Sequence, residues 1–410
     1  MKSEYINHLH VEGVGPFNRL DIDFSPDVNV IIGVNGSGKT SILRCLTHCF
    51  TTHNREYFRY KAGGLLWAYF KKDELQCRSG GAPYDLKTDQ AYHQTLSGLY
   101  RKLPEEEGVK TFSGAAHAHK MLAIGAHRYF DYQKIKGMKE EQNTPSQCDA
   151  YAQMNPLYLE KPLLPDAKQW MINRYFIIEK AWGKDLKANW DSIIEYIPLL
   201  SPPNHHLEFK RIEQELEPIF SYDGKECFLE ELSSGFKSIL SIFFCIINWI
   251  EGVNDGEDRL MKQAKGTVLI DELESHLHPA WQRTILKLVT GAFPNLQFII
   301  TTHSPYIVAS ADKGQVIVLP PLSDNINIKP TDQVYSGWRY EYIVQDLMGG
   351  EEIVMPGLRK LLEALDNAFD NNDQAAFDAA FGELKSVLNP RDSIILNYNM
   401  KRAERFGDSL

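Results

Sequence analysis

The sequence predicts an α/β fold: a mostly parallel sheet, an N-terminal antiparallel β unit and an inserted helical lobe. Three observations carry this. An apolar run, Val28–Ile32, leads into Gly33-Val34-Asn35-Gly36-Ser37-Gly38-Lys39-Thr40 and then into Ile42, Leu43, Leu46 and Phe50 at helical spacing. That is a strand, a complete phosphate-binding loop (GxxxxGK[ST]) and a helix in the order the loop's chemistry requires. After residue 265, strands and helices alternate: Thr267–Ile270, a helix over His278–Gly291, then strands at Leu296–Thr301 and Gln315–Leu319. Between these parts, Ala167–Leu200 has helical spacing, with Trp170, Phe176, Ile177, Trp182, Trp190, Ile193 and Ile197 as core candidates.

The elements follow in chain order. Tyr5–Val11 and Phe17–Phe24 alternate as strands, joined through Gly13, Gly15 and Pro16. The loop and its helix come next. Residues 51–118 are mixed, with an aromatic stretch at 57–70 that has no clear period, and Met121–Ala126 reads as another buried strand. Residues 131–165 are polar and Pro-containing and read as a surface excursion; a further helix is expected over Leu207–Phe220, with a start as a strand as the alternative. Met355 onward is helical, marked by Leu358, Leu361, Leu362 and Leu365 and then Ala376, Phe377, Phe381 and Leu384. The expected division is 1–130 and 251–330 as two parts of one head, 131–250 as the helical lobe, and 331–410 as a helical C-terminal segment.

Four segments carry chemistry. In the loop, backbone N–H groups of 33–38 and the helix N-terminus would cradle phosphate. Lys39 would reach the β- and γ-phosphates and the Thr40 hydroxyl would hold Mg²⁺. The apolar strand Thr267–Ile270 ends in Asp271, a second Mg²⁺-side residue, and Glu272, placed to polarise an attacking water. Leu232-Ser233-Ser234-Gly235-Phe236-Lys237 opens the apolar helix Ile239–Ile250 with an anion-receptive cap. Ile299–Thr301 is a strand that delivers Thr302-His303-Ser304-Pro305 to its end.

In that order the segments resemble the Walker A, signature, Walker B with D-loop, and switch-histidine motifs of ABC-type ATPases. The form is similar to the soluble branch that includes the RecF, SMC and OLD-type ATPases. Asn35, the run Glu274-Ser275-His276-Leu277-His278-Pro279, and Thr301–Pro305 resemble the ATPase subunits of anti-phage systems such as Septu, retron-linked modules and PARIS. The likeness is close over residues 5–50 and 225–310, and Gly337–Tyr340 and Asp346–Gly349 resemble C-terminal segments of the same group. The resemblance implies an ABC-type head that binds ATP and Mg²⁺ through Asn35, Gly36, Ser37, Gly38, Lys39, Thr40 and Asp271. It implies Glu272 as base, His303 as γ-phosphate sensor, and Ser233, Ser234 and Gly235 closing the site of a neighbouring subunit. One copy of each motif then implies a homo-oligomer, a dimer at least, with a larger even-numbered ring of dimers as the alternative. Phe236 departs from the signature pattern, and the Q-loop has two weak candidates, Gln76 and Gln153.

Bulk properties exclude other classes. The net charge of −10 over 410 residues argues against a whole surface built for nucleic acid. The cysteines show no CxxC pair, which fits a reducing cytoplasm. The N-terminus lacks a signal-peptide core, and the run Ile239–Ile250 is short for a membrane span, so no membrane partner is expected. Residues 320–410 read as helices, so no second α/β nuclease domain is expected there. A nuclease or other effector controlled by this chain is therefore expected on a separate polypeptide, with a phage protein or DNA as trigger. The alternative is a RecF/SMC-like repair ATPase that clamps DNA.

Overall fold

The computed structural model describes residues 4–50, 60–70, 75–80, 110–128, 132, 134–140, 144–160, 167–202, 204–349 and 356–407. The strands in chain order are β1 Ile6–Val14, β2 Phe17–Asp23, β3 Val28–Gly33, β4 Tyr60–Phe70, β5 Leu75–Gly80, β6 Lys110–Ser113 and β7 Met121–Ile124. They continue as β8 Leu207–Ile212, β9 Pro218–Tyr222, β10 Lys225–Phe228, β11 Gly266–Ile270, β12 Leu296–Thr301, β13 Val316–Leu319 and β14 Ile326–Ile328. The helices are α1 Lys39–Cys49, α2 Thr144–Glu160, α3 Ala167–Ile177, α4 Lys184–Tyr196, α5 Ser234–Val253, α6 Pro279–Gln282, α7 Ile285–Ala292, α8 Pro305–Ser310 and α9 Tyr340–Met348. The last three are α10 Pro356–Asp370, α11 Gln374–Val387 and α12 Ser393–Phe406.

The central sheet is parallel, in the order β13-β3-β12-β11-β7. Its strands are nearly all apolar because both faces are covered. Successive side chains go to opposite faces. Val28, Val30, Ile32, Leu122, Ile124, Val268, Ile270, Phe298 and Ile300 enter one core with α5. Ile31, Ala123, Leu269, Ile299 and Ile317 enter another, with α1 and the N-terminal sheet. That second sheet runs β14-β2-β1-β4-β5-β6. β1 pairs antiparallel with β2 and β4, as expected of an N-terminal β unit, but β14 joins β2 in parallel from far downstream. The architecture is mixed α/β: a parallel sheet, a largely antiparallel N-terminal sheet and helices, as expected.

α5 is long and apolar enough to cross a membrane, yet 89% of its apolar window is buried within the fold. Near its end Glu251, buried, accepts hydrogen bonds from Trp170 Nε1 (3.0 Å), Arg174 Nε (2.7 Å) and Asn189 Nδ2 (2.8 Å). One carboxylate thus locks α3 and α4 onto α5. Glu251→Ala should cost about 3–5 kcal/mol, since breaking a buried ion pair strands its partners. Thermal and denaturant unfolding measure this; a loss below about 1 kcal/mol would show that the cluster does not hold the lobe.

Four expectations are corrected. Leu207–Phe220 is not a helix: β8 and β9 begin an antiparallel sheet with β10. Asp223 and Gly224, at φ 50° and 79°, form the two-residue turn between β9 and β10, and Asp-Gly is a favoured pair for that turn. Residues 131–165 are not only a surface excursion, because they contain α2. Its buried Asn155 accepts from Ala123 N (3.0 Å) and donates to Met121 O (2.7 Å), so a side chain finishes the free edge of β7. The expected helix His278–Gly291 is interrupted between α6 and α7. Phe176 and Trp182 are 42% and 72% exposed rather than core.

The chain divides into two compact units, Met1–Gly349 and Gly350–Leu410. The second has its own core of Leu365, Phe377, Phe381, Leu384, Ile395 and Tyr398. Its α11 and α12 are capped by Asp373, accepting from Ala376 N, and Asp392, accepting from Ile394 N.

Candidate active site

The phosphate loop spans the end of β3 and the start of α1. Gly38 is the helix cap at φ 97°, and a Cβ there would lie 2.7 Å from Phe17 Cζ. Only glycine therefore allows the loop to close against the β1–β2 hairpin. Asn35 and Gly36 are exposed at the crest. Lys39 is buried and donates to Gly33 O and Val34 O, each at 3.0 Å. Burial lowers its pKa, partly offset by Glu274, Asp271 and Glu272. Gly349, the C-cap of α9, sits close against Val34, so the Asp346–Gly349 segment borders the loop.

β11 brings the acids to this loop. Thr40 Oγ1 donates to Asp271 Oδ1 at 3.0 Å and Oδ2 at 3.1 Å, and Thr301 Oγ1 donates to Asp271 Oδ1 at 2.6 Å. Burial raises the Asp271 pKa above the ordinary carboxylate value, while the Thr301 and Thr40 hydrogen bonds oppose it. Glu272 takes a left-handed backbone, φ 47°. Its N–H donates to Thr301 Oγ1 (2.9 Å), and its carboxylate accepts from Ser275 Oγ (3.0 Å). Thr301, at the end of β12, thereby registers both acids.

His303 follows β12 and is exposed. Its backbone N–H donates to Glu274 Oε1 (2.5 Å), and Thr302 Oγ1 donates to Glu274 Oε2 (2.6 Å). Ser304 then caps α8. Glu274 thus joins the acid turn to the histidine turn, a tie that local spacing did not reveal.

Ser233 caps α5, accepting from Phe236 N at 3.5 Å, and both Ser233 and Ser234 are exposed. Gly235 is buried: a Cβ would lie 2.4 Å from Trp281 Cζ3. Phe236 meets Trp281 edge-on at 4.9 Å, so the residue that departs from the signature pattern is a packing residue. Among the described residues, Ser233, Ser234 and Gly235 form no hydrogen bond with residues 33–40; α5 is tied instead to Ser275 O through Ser238 Oγ (3.1 Å). The structure therefore gathers Lys39, Thr40, Asp271 and Glu272 in one place, links His303 to it through Glu274, and leaves the serine cap facing outward. Gln153 lies on α2 and Gln76 on β5. Sequence reasoning missed Arg128, four residues beyond β7, whose guanidinium reaches the backbone of the acid turn; a basic residue just past a buried strand was its one visible sign.

The donor set fits MgATP. Among the described residues, Ser37 Oγ is buried without a hydrogen-bond partner inside the loop, a polar atom that a phosphate oxygen would satisfy. Among those residues no cluster of three or more His, Cys, Asp or Glu could hold a metal. One hydroxyl and one carboxylate are what Mg²⁺ uses when phosphates and water complete its shell.

The fold and this site resemble those of an ABC-type ATPase head. Family models agree: one described as "AAA domain" matches residues 8–97, and one described as "AAA domain, putative AbiEii toxin, Type IV TA system" matches 187–309. In particular, the chain is similar to Septu PtuA proteins and to retron probable ATPases. It is 27% identical to Septu protein PtuA of Bacillus thuringiensis over 95% of both chains. It is 36% identical to Septu protein PtuA of Bacillus mycoides (strain KBAB4) over 78% of this chain and 41% of that longer protein. It is 34% identical to "Retron Vc95 probable ATPase" of Vibrio cholerae serotype O1 biovar El Tor over 24% of this chain and 19% of that one.

Proposed function

We propose that this chain hydrolyses ATP in sites shared between subunits of a homo-oligomer. The oligomer would act in the cytoplasm as sensor and scaffold of an anti-phage complex that controls a separate effector, a nuclease. The observation that carries the catalytic reading is the Thr40–Asp271–Thr301 cluster with Glu272 on the same turn. The likeness to PtuA along nearly the whole chain supports the defence role.

The residues divide the work. Loop N–H groups and Lys39 bind the phosphates, which stabilises charge on the transferred group. Mg²⁺, held by Thr40 and Asp271, would neutralise charge on the β- and γ-phosphates. Glu272 takes a proton from the water that attacks the γ-phosphorus, and the bond from that phosphorus to the ADP oxygen breaks. His303 contacts the γ-phosphate. Ser233, Ser234 and Gly235 of a neighbouring subunit close the site, which explains a cap that is exposed and forms no hydrogen bond to its own loop.

Subunit mixing tests this. Ser233→Ala and Lys39→Ala should each be inactive alone. Ser233 is the better signature probe, because any Cβ at Gly235 strikes Trp281 within the same chain. Mixed subunits should regain activity, since the Ser233→Ala subunit supplies an intact loop and the Lys39→Ala subunit an intact cap. Restored ATPase rates, measured as phosphate release, support shared sites; no recovery would mean that each subunit works alone. If the complex clamps DNA instead, duplex DNA should raise the wild-type rate and bind in an ATP-dependent manner.

A further inference from the structure

One buried cation touches three parts of the head at once. Arg128 is fully buried. Nη1 donates to Gly125 O (3.0 Å) and Asp271 O (2.9 Å), and Nη2 donates to Glu272 O (2.7 Å) and Leu273 O (3.3 Å). Nε donates to Ser238 Oγ (3.1 Å), whose hydroxyl in turn donates to Ser275 O (3.1 Å). These partners are carbonyls and a hydroxyl. Burying a guanidinium on such partners costs more than filling the space with apolar side chains.

The backbone of Glu272 gives the reason for tolerating that cost. A glutamate at φ 47° is in a conformation that side chains other than glycine rarely adopt, and neighbouring contacts must hold it. Thr301 holds its N–H, and Arg128 grips the carbonyls before, at and after it. Ser238 belongs to α5, which also carries Ser233 at its cap. The same guanidinium therefore spans the exit of β7, the acid turn and the signature helix.

We propose that Arg128 is a positioning residue: it holds the Glu272 turn in its left-handed form and couples that turn to the start of α5. Movement of the helix that carries Ser233 then resets the carboxylate that activates water. The inference rests on the reading of Glu272 as the base. A lysine cannot replace the span, because three donors on one nitrogen do not reproduce a planar fork.

The test uses the full chain with Arg128→Lys, Ser238→Ala, and each combined with Glu272→Gln. Arg128→Lys should keep a cooperative thermal transition and bind a fluorescent ATP analogue within about threefold of wild type, while kcat falls about 30–100-fold, because an effect confined to the transition state lowers kcat and not binding. Ser238→Ala, which leaves the guanidinium in place, should lower kcat about tenfold at unchanged affinity. In the Glu272→Gln background neither change should lower the residual rate more than about threefold, since residues acting through one group are not additive. The proposal is overturned if kcat is unchanged, if affinity falls in parallel with kcat, or if the loss is equal in both backgrounds. Should Arg128→Lys fail to fold, Ser238→Ala decides by the same criteria. If Glu272→Gln itself turns over normally, the assignment of the base falls and this proposal with it. If Glu272→Gln is inactive while Arg128→Lys and Ser238→Ala are normal, this proposal alone falls.

Discussion

Glu272→Gln should lower ATP turnover about 10²–10⁴-fold, the usual worth of a positioned general base. The substitution is nearly isosteric. The backbone ties that shape the turn, from Thr301 and Arg128, do not involve the side chain. The amide oxygen can still accept from Ser275 Oγ, which donates to Glu272 Oε2 in the parent. Lys39, Thr40 and Asp271 are untouched, so nucleotide affinity should hold. On the proposed shared-site reading, a subunit that binds ATP and cannot hydrolyse it should stay in a closed oligomer, visible as a larger species by light scattering with ATP and absent with ADP. Turnover within threefold of wild type would remove Glu272 from its role.

Lys39→Ala should weaken ATP binding at least about 100-fold, corresponding to about 3 kcal/mol or more for losing a partly buried charged contact to phosphate. In the parent the ammonium lies 3.0 Å from each of two loop carbonyls, and burial holds its pKa below the usual lysine value. The substitution removes both the cation and a brace of the loop. Titration with a fluorescent nucleotide reads the affinity, and circular dichroism checks the fold. On the proposed function, a homo-oligomer that cannot bind ATP should not close, and protection against phage together with the proposed effector should also be lost. Unchanged affinity would sink the phosphate-loop assignment.

The two halves of the candidate site were legible to different degrees. Gly33–Thr40 could be read because its chemistry lies within eight consecutive residues, flanked by a strand and a helix in the required order. Asp271 and Glu272 were legible because an apolar strand must end somewhere, and two acids at its end are costly unless used. A strand at the start of Leu207–Phe220 was open in the sequence, but the helix expected over the rest of it was a misreading although the Asp223-Gly224 turn is a strong local signal, because the flanking apolar spacing suited a helix equally well. α2 was missed because Pro145, Pro156 and the buried Asn155 obscure its apolar face. Trp182 shows the limit of composition: a large aromatic side chain is exposed when its turn faces outward.

By itself the sequence proposed the ligand class, the order of the strands that carry the acids and the histidine, and the residues expected to meet phosphate. Each of these is set by covalent spacing of a few residues, where hydrogen-bonding groups and helix ends repeat at fixed intervals. Only the tertiary structure decided which distant groups complete the site. It placed Thr301 on Asp271, Glu274 on the histidine turn, β14 against β2, and Arg128 beneath Glu272. Those contacts join residues up to hundreds of positions apart, and no local pattern encodes them. Those at the site follow from how a parallel sheet buried on both faces brings its strand ends, and the loops that leave them, to one edge.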